Sequence, residues 1–176
     1  YYGNGQAGVL SHCERYHMVT KKWETIAPLK GKRCTGVATT YLNRVYMFGG
    51  YRGDGRVMTI ERYNEVVNVW EIVPLLLLYP IEAEGMIRLS ESEIVLLGGK
   101  DDFSEQDYVS VYNLEKMTAK MEKNMVSKRI LSKAARYQGE IIVVGGNAAM
   151  TCEKAKIGEW DWKMFDSYSK YLTNNL

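Results

Sequence analysis

The sequence predicts an all-β protein built from a repeated strand unit. Its 176 residues include 13 Tyr and 16 Gly but only 3 Pro, a composition that suits short β-strands joined by tight turns. Gly-Gly pairs recur at intervals of 49 and 47 residues, at Gly49–Gly50, Gly98–Gly99 and Gly145–Gly146. The content of 46% apolar and 25% charged residues is that of an ordinary globular domain.

Each Gly-Gly pair follows four apolar, β-prone residues, namely Val45–Phe48, Ile94–Leu97 and Ile141–Val144. A strand that is apolar on both faces needs cover on both, so these runs are predicted to be inner strands of stacked sheets. A charged residue precedes each run, and a turn-forming residue precedes that one: Asn43, Ser92 and Gly139. Each repeat therefore begins with a strand, a tight turn, a buried strand and Gly-Gly.

The residues after Gly-Gly repeat as well. Tyr63 stands thirteen residues after Gly50, and Trp70 follows seven residues later. Tyr16 and Trp23 have the same spacing, which places an earlier repeat end at Gly3, and Tyr112 occupies the Tyr position after Gly99. The third copy has Ala119 at the Trp position. The fourth has Glu159 and Asp166 at the two aromatic positions, or Trp160 with a one-residue shift, so it is predicted to be degenerate or to end differently.

This register resembles the kelch repeat, in which an apolar strand, Gly-Gly and Tyr-x6-Trp recur every ~50 residues. The resemblance implies a kelch-type β-propeller of four-stranded antiparallel blades, incomplete at about three and a half blades. It covers residues 1–165, and residues 166–176 form a C-terminal tail. The repeat residues are predicted to be structural, with the aromatic ones packed between blades: Gly49, Gly50, Gly98, Gly99, Gly145, Gly146, Tyr16, Trp23, Tyr63, Trp70 and Tyr112.

Two questions stay open at this point. Leu114, Met117, Met121 and Met125 fall at helical spacing among basic residues, so residues 114–129 also fit a basic amphipathic helix. The repeat register instead places this segment in the outer strands of the third copy. Three and a half blades are also fewer than a closed ring of about 4–8 needs, so upstream sequence or a second copy is expected to supply the rest. The start at Tyr1 rather than Met favours upstream sequence.

A partner is expected on the end of each blade that carries the longer loops. These follow Gly-Gly, at 51–56, 100–107 and 147–151, or follow the fourth strand, at 28–33, 74–82 and 123–129. Arg33, Glu82 and Arg129 all stand seventeen residues before the second Gly. The resemblance implies that Arg33 and Arg129 face an acidic peptide; the alternative is that they form salt bridges between neighbouring loops.

Further contact candidates on these loops are Tyr51, Arg52, Arg56 and Phe103. The apolar run Leu75–Tyr79 is either a partner contact or a segment packed under a neighbouring loop.

Several motifs resemble cofactor- or metal-binding sites but lack the neighbouring residues or secondary structure that such sites require. Gly3–Gly8 matches G-x-G-x-x-G without a preceding strand or a following helix. His12, Cys13 and His17 have no second cluster at zinc spacing, and the acidic loop at 101–107 lacks the glycine turn of a calcium site. No catalytic residue, metal or cofactor is predicted.

Composition also narrows the class of partner. The net charge of +2 gives no strong electrostatic reason to expect a nucleic-acid partner. The longest apolar run, Val73–Ile81, is too short to span a membrane. An odd number of cysteines, no glycosylation sequon and no signal peptide favour a cytoplasmic protein.

The predicted function is a non-catalytic protein-interaction module, a scaffold or adaptor. The kelch resemblance implies two specific versions, the substrate receptor of a cullin-type ubiquitin ligase or a cytoskeletal scaffold. The alternative is a kelch-fold enzyme such as an oxidase, an epimerase or a metal-dependent specifier protein.

Overall fold

The structure is a computed structural model, and it describes residues 4–5, 8–146 and 151–165. The chain divides into two compact units, one ending at Glu82 and the other starting at Ala83, and each unit is described by itself. The described residues contain strands and turns and no helix, so the predicted all-β fold is confirmed. The helical alternative for residues 114–129 is wrong, because that segment holds a turn, a strand and a loop.

The described residues of the first unit form eight strands in three antiparallel sheets. β1 (Asn4–Gly5) pairs with β2 (Gly8–Val9), and β3 (Cys13–His17) pairs with β4 (Lys22–Ile26). The four-stranded sheet, here called blade A, runs in sequence order through β5 (Val37–Tyr41), β6 (Arg44–Phe48), β7 (Thr59–Asn64) and β8 (Val69–Leu76).

Where the structure describes it, the second unit forms two four-stranded antiparallel sheets. Blade B consists of β9 (Gly85–Arg88), β10 (Glu93–Leu97), β11 (Val109–Asn113) and β12 (Thr118–Met121). Blade C consists of β13 (Lys133–Tyr137), β14 (Glu140–Val144), β15 (Cys152–Lys156) and β16 (Lys163–Phe165). The two sheets pack through a shared apolar core that includes Val95, Val109, Ile141 and Val143, each fully buried.

Gly-Gly follows the inner strand of every blade, as predicted, and the backbone shows why glycine is needed. Gly98 has a φ of +64°, and a Cβ there would lie 2.3 Å from the carbonyl oxygen of Arg129. At Gly50, with a φ of +97°, a Cβ would lie 2.5 Å from the Cys34 carbonyl oxygen. Any side chain would therefore clash with backbone at these two positions.

Blade C has all four strands, so of the two alternatives for the last repeat it is not degenerate in its strands but differs from blade A in spacing. Its third strand starts six residues after Gly146, whereas the third strand of blade A starts nine residues after Gly50. The shorter loop shifts the repeat, so that Trp162 occupies the position of Trp70. Trp70 and Trp162 are both buried, and each donates its indole N–H to a backbone carbonyl before the blade, that of Ala27 or Lys123, at 3.0 Å.

The last strand of blade A extends further than predicted. Pro74 and Leu75 belong to β8 and not to the loop that follows it. Proline lacks a backbone N–H, and here it lies on the outermost strand where the pairing of β7 with β8 is irregular. The loop therefore begins after Leu76.

Not all repeat aromatics are buried. Tyr63 and Trp70 form a tilted pair with ring centroids 5.3 Å apart, and Tyr16 and Trp23 repeat this geometry at 5.3 Å. Tyr63 and Trp70 are buried, but Tyr16 and Trp23, which lie in a sheet of two strands, are 39% and 67% exposed. The expected core position is therefore found for the second pair and not for the first.

The predicted boundaries at 165 and 166 stay a prediction, since the tail lies outside the described residues, as do Gly3 and residues 147–150 of the third predicted loop.

Candidate functional site

The guanidinium group of Arg33 is enclosed by blade A. Its side chain is 1% exposed and forms an ion pair with Glu61 of β7. Nη1 donates to the carbonyl oxygens of Gly49, at 3.1 Å, and Thr59, at 3.3 Å. Burial lowers the pKa of Arg33, which the negative charge of Glu61 opposes. Because arginine titrates so far above neutrality, the group stays charged in this setting.

Arg129 repeats the arrangement in blade C. Its side chain is fully buried, and Nε donates to Glu153 Oε1 of β15 at 2.9 Å. The other guanidinium nitrogens donate to the Gly145 carbonyl at 2.5 Å and to the carbonyl and hydroxyl oxygens of Thr151, both at 2.9 Å. Arg33 and Arg129 therefore each join the first glycine of Gly-Gly, a threonine and a glutamate of their own blade.

The two glutamates also hold the loop that leads into the blade. Glu61 accepts from the backbone N–H groups of Lys30, at 2.7 Å, and Gly31, at 3.3 Å. Glu153 accepts from those of Val126, at 2.6 Å, and Ser127, at 3.0 Å. We call this set of bonds the arginine clamp, comprising Arg33 with Glu61 in blade A and Arg129 with Glu153 in blade C. It fixes the incoming loop to the third strand.

The clamp bears on the role predicted for the two arginines. Their ion pairs correspond to the salt-bridge alternative, although the partner is a strand of the same blade and not a neighbouring loop. A direct contact of Arg33 or Arg129 with an acidic peptide stays a prediction, and it requires these bonds to open.

Blade B lacks the clamp, because Glu82 and Ser110 stand where the other blades have arginine and glutamate. Glu82 instead accepts from Arg56 Nη2 at 2.6 Å and from the Thr35 hydroxyl at 2.8 Å. The Arg56 guanidinium also lies 5.7 Å from the centre of the Tyr51 ring. Of the predicted contacts in the first unit, Glu82, Arg56 and Tyr51 therefore form one connected group.

The loop after Gly-Gly in blade A carries Arg52 at its surface. Its side chain is 57% exposed and pairs with Asp54 at 2.7 Å. Arg52 is thus the predicted cation that solvent reaches most readily on this loop. Tyr51 is held by its hydroxyl, which donates to the Gly53 carbonyl at 2.6 Å.

The corresponding loop of blade B presents Phe103, whose side chain is 94% exposed. The loop beneath it is well ordered by hydrogen bonds. Asp101 Oδ1 accepts from the backbone N–H of Phe103 at 2.9 Å and of Ser104 at 2.8 Å, and Asp101 Oδ2 accepts from Gln106 Nε2 at 2.7 Å. Gln106 is itself buried. The loop therefore holds an apolar ring in solvent, and because its hydrogen bonds already order it, binding a partner would cost little further conformational entropy.

The backbone of Arg129 supports the same loop from both ends. Gly99 N–H donates to the Arg129 carbonyl at 2.7 Å, and Arg129 N–H donates to the Gln106 carbonyl at 3.0 Å. The arginine clamp of blade C and the Phe103 loop of blade B therefore meet at one residue.

The apolar run Leu75–Tyr79 has a mixed environment. Leu77 is buried, whereas Leu76 and Leu78 are 54% and 40% exposed. Alternate residues thus pack inward and outward, which fits both roles considered for the run.

The sequence motifs that could bind a metal or a cofactor do not form a complete binding site among the residues that the structure describes. No group of three or more His, Cys, Asp or Glu side chains is arranged to hold a metal ion there. Burial raises the pKa of the Cys13 thiol, which disfavours the thiolate that metals and electrophiles require. No helix of the described residues is long and apolar enough to cross a membrane.

Sequence reasoning found the arginines but missed Glu61 and Glu153. A signal was present, because Glu14-Arg15-Tyr16 and Glu61-Arg62-Tyr63 match residue for residue and place a glutamate two residues before the repeat Tyr. In blade C that tyrosine position is Ala155, and the shorter loop moves the glutamate to seven residues after Gly146 instead of eleven. Counting at a fixed period could not align the two.

Comparison with known proteins identifies relatives of the chain. It is 26% identical over 137 residues to spermatocyte protein spe-26 of Caenorhabditis elegans, which covers 76% of this chain and 24% of that protein. It is 28% identical over 138 residues to Kelch-like protein 38 of Rattus norvegicus, which covers 74% of this chain and 23% of the relative. The chain thus spans about a quarter of the length of these relatives.

No model of a known protein family matches the sequence. The relatives and the three four-stranded antiparallel sheets nevertheless agree with each other. The resemblance to kelch-repeat proteins is therefore confirmed, and the sheets are blades of an incomplete kelch-type β-propeller.

Proposed function

We propose that this chain is a non-catalytic protein-interaction module, a scaffold or adaptor that binds its partner through the Phe103 loop of blade B. The similarity to Kelch-like protein 38 supports the general role. The observation that carries the specific site is a large aromatic side chain, 94% exposed, on a loop held by hydrogen bonds. Aromatic anchors that need little further ordering give much of the binding energy in protein interfaces.

In the first unit, we propose that Arg52 and Tyr51 add contacts to acidic groups of a partner, with Arg56 and Glu82 supporting their loop. Arg33 and Arg129 act by positioning, because their guanidinium groups are already bonded within the blades. This assigns the predicted residues to two kinds of role, direct contact and support.

The two specific versions of the adaptor role remain as proposals, namely a receptor of a cullin-type ubiquitin ligase and a cytoskeletal scaffold. We place the protein inside the cell, a location that fits three cysteines, Cys13, Cys34 and Cys152, none of which forms a disulfide. Because the chain spans about a quarter of its relatives, the test uses the whole protein that contains it.

The experiment is affinity purification of the whole protein, as wild type and with Phe103→Ala, followed by quantitative mass spectrometry. Phe103→Ala should lower recovery of the specific partners at least about tenfold, as expected for an interface anchor. Val66→Ala is the matched control, because Val66 is also 94% exposed but lies in the turn at the other end of its blade.

The identity of the recovered proteins separates the versions. A cullin with ubiquitinated clients supports the receptor, and actin or motor components without a cullin support the scaffold. Equal recovery by the wild type and Phe103→Ala, with Val66→Ala unchanged, would show that the Phe103 loop is not the contact.

A further inference from the structure

Blade B has a pocket of about 260 Å³ at the end of the sheet opposite Gly98–Gly99. Val111 of β11 lies in its lining, together with Glu93 at the start of β10 and Asn113 at the end of β11. The remaining lining residues are Lys116, Thr118, Ala119 and Lys120. The pocket is separate from the Phe103 loop, which leaves the other end of the same two strands.

The other blades show what normally occupies this place. Val111 pairs with Val95, and the corresponding positions are Arg62, opposite Tyr46 in blade A, and Lys154, opposite Ile142 in blade C. Both carry a positive charge on an aliphatic stem. Arg62 pairs with Glu71 at 2.6 Å, and Lys154 pairs with Glu140 at 2.9 Å. Only blade B has a short apolar residue here: Val111 is 5% exposed, belongs to the core shared with blade C, and lines the pocket without a long stem or a charge of its own.

The carboxylate that would receive this charge is still present in blade B. Glu93 is the first residue of β10, as Glu140 is the first residue of β14. Within the described part of the chain, its side chain accepts one long hydrogen bond, from Asn113 Nδ2 at 3.4 Å, and has no ion pair. The side-chain oxygen of Asn113, Oδ1, accepts hydrogen bonds from the backbone N–H groups of Glu115 and Lys116. Blade B therefore keeps the anion of the blade C pair and lacks its cation.

We propose that this pocket binds one arginine side chain of a partner protein, with its stem against Val111 and its guanidinium group on Glu93. Charge complementarity to Glu93 and the arrangement in the other two blades both point to a cation. Arginine fits better than lysine because its planar group can donate two hydrogen bonds to one carboxylate. Lys116 and Lys120 also line the pocket, but Lys120 pairs with Glu122 at 2.6 Å.

The probe is N-acetyl-arginine amide, titrated into the ¹⁵N-labelled chain and followed by NMR. Its control is N-acetyl-citrulline amide, which has nearly the same shape without the charge. Arginine should shift the amide signals of Val111, Asn113 and Thr118 in a saturable way, and citrulline should bind at least several-fold more weakly. Phe103→Ala should leave this titration unchanged, so the result does not depend on the proposed function.

Two variants test the assigned contacts. Glu93→Gln should bring arginine binding down to the level of citrulline. Val111→Lys should place a cation in the pocket from within the chain, as Lys154 does in blade C, and should also block the probe. If Val111→Lys does not fold, Glu93→Gln decides alone. Unchanged binding by Glu93→Gln, no saturable shift with arginine, or stronger binding of N-acetyl-glutamate amide through the two lysines would each overturn the proposal.

Discussion

Arg129 places a full positive charge where water does not reach, and its neighbours compensate for the lost hydration. Glu153 neutralises the charge, and carbonyl oxygens of Gly145 and Thr151 accept from the remaining guanidinium nitrogens. Burying an ion pair is itself costly, so such a pair adds little net stability, yet removing one member is severe because the other stays buried. The clamp therefore fixes the loop geometry more than it stabilises the fold.

This argument gives the first prediction at the scale of a residue. Arg129→Met should lower the free energy of unfolding by about 3–5 kcal/mol, because the Glu153 carboxylate is left without its cation. Urea unfolding followed by tryptophan fluorescence measures the change. The double variant Arg129→Met with Glu153→Gln should recover part of the loss, since no charge then remains buried.

The control is Lys123→Met, which removes an ion pair with Asp161 in which both side chains are more than 60% exposed. Exposed pairs contribute little, so its unfolding midpoint should stay near that of the wild type. A midpoint for Arg129→Met equal to that of Lys123→Met would mean that the clamp is not needed for stability.

The elements of this fold could be predicted wherever the repeat has constant length, and not where a loop changes length. The strands before Gly-Gly, the tight turns at Asn43, Ser92 and Gly139, and the pair Tyr63 and Trp70 all follow from counting. Trp162 does not, because the loop before β15 is three residues shorter than its counterpart in blade A and the strand register is shifted by four residues. Backbone pairing between strands, and not distance along the chain, brings Trp162 into the position of Trp70.

The sequence could predict which positions belong to the candidate site, but not the burial or the contacts of their side chains. The seventeen-residue spacing found Arg33 and Arg129, but burial depends on which side chain of the third strand faces them, and that depends on loop length. Exposure of Phe103 depends on the turn that Asp101 makes with Ser104. The pocket of blade B depends on a difference among three side chains, Arg62, Val111 and Lys154, whose correspondence becomes visible only in the strand register.

Equivalent residues of different sheets offer a matched test at the scale of an element. Trp70→Ala should lower the free energy of unfolding by about 3–5 kcal/mol, because it removes a buried ring and its hydrogen bond to Ala27. Trp23→Ala, at the same repeat position but 67% exposed, should cost less than about 1 kcal/mol. Chemical denaturation of both variants measures the difference. Equal losses would show that Trp23 is buried in solution.

At the scale of the whole molecule, the strands differ in how deeply their apolar residues are buried. β10 and β14 each contain residues with no exposure and lie in four-stranded sheets that share a core. β3 and β4 form a sheet of two strands, and most of their residues are exposed. Sheets of two strands are marginal in water unless something packs on them. Local opening of β3 and β4 should therefore need less free energy than opening of the inner strands.

Amide hydrogen exchange on the 176-residue chain tests this unevenness. Paired amides of β3 and β4 should exchange at least about ten times faster than those of β10 and β14, because they can open without disturbing the shared core. The ion pair of Arg15 with Glu65 and the hydrogen bond of Trp70 to Ala27 join the segment containing β3 and β4 to blade A. The amides of β3 and β4 should therefore still exchange more slowly than amides in turns that have no backbone hydrogen bond. Equal protection of all four strands would mean that β3 and β4 open only when the core of the molecule does, and that the burial of each sheet does not set its local stability.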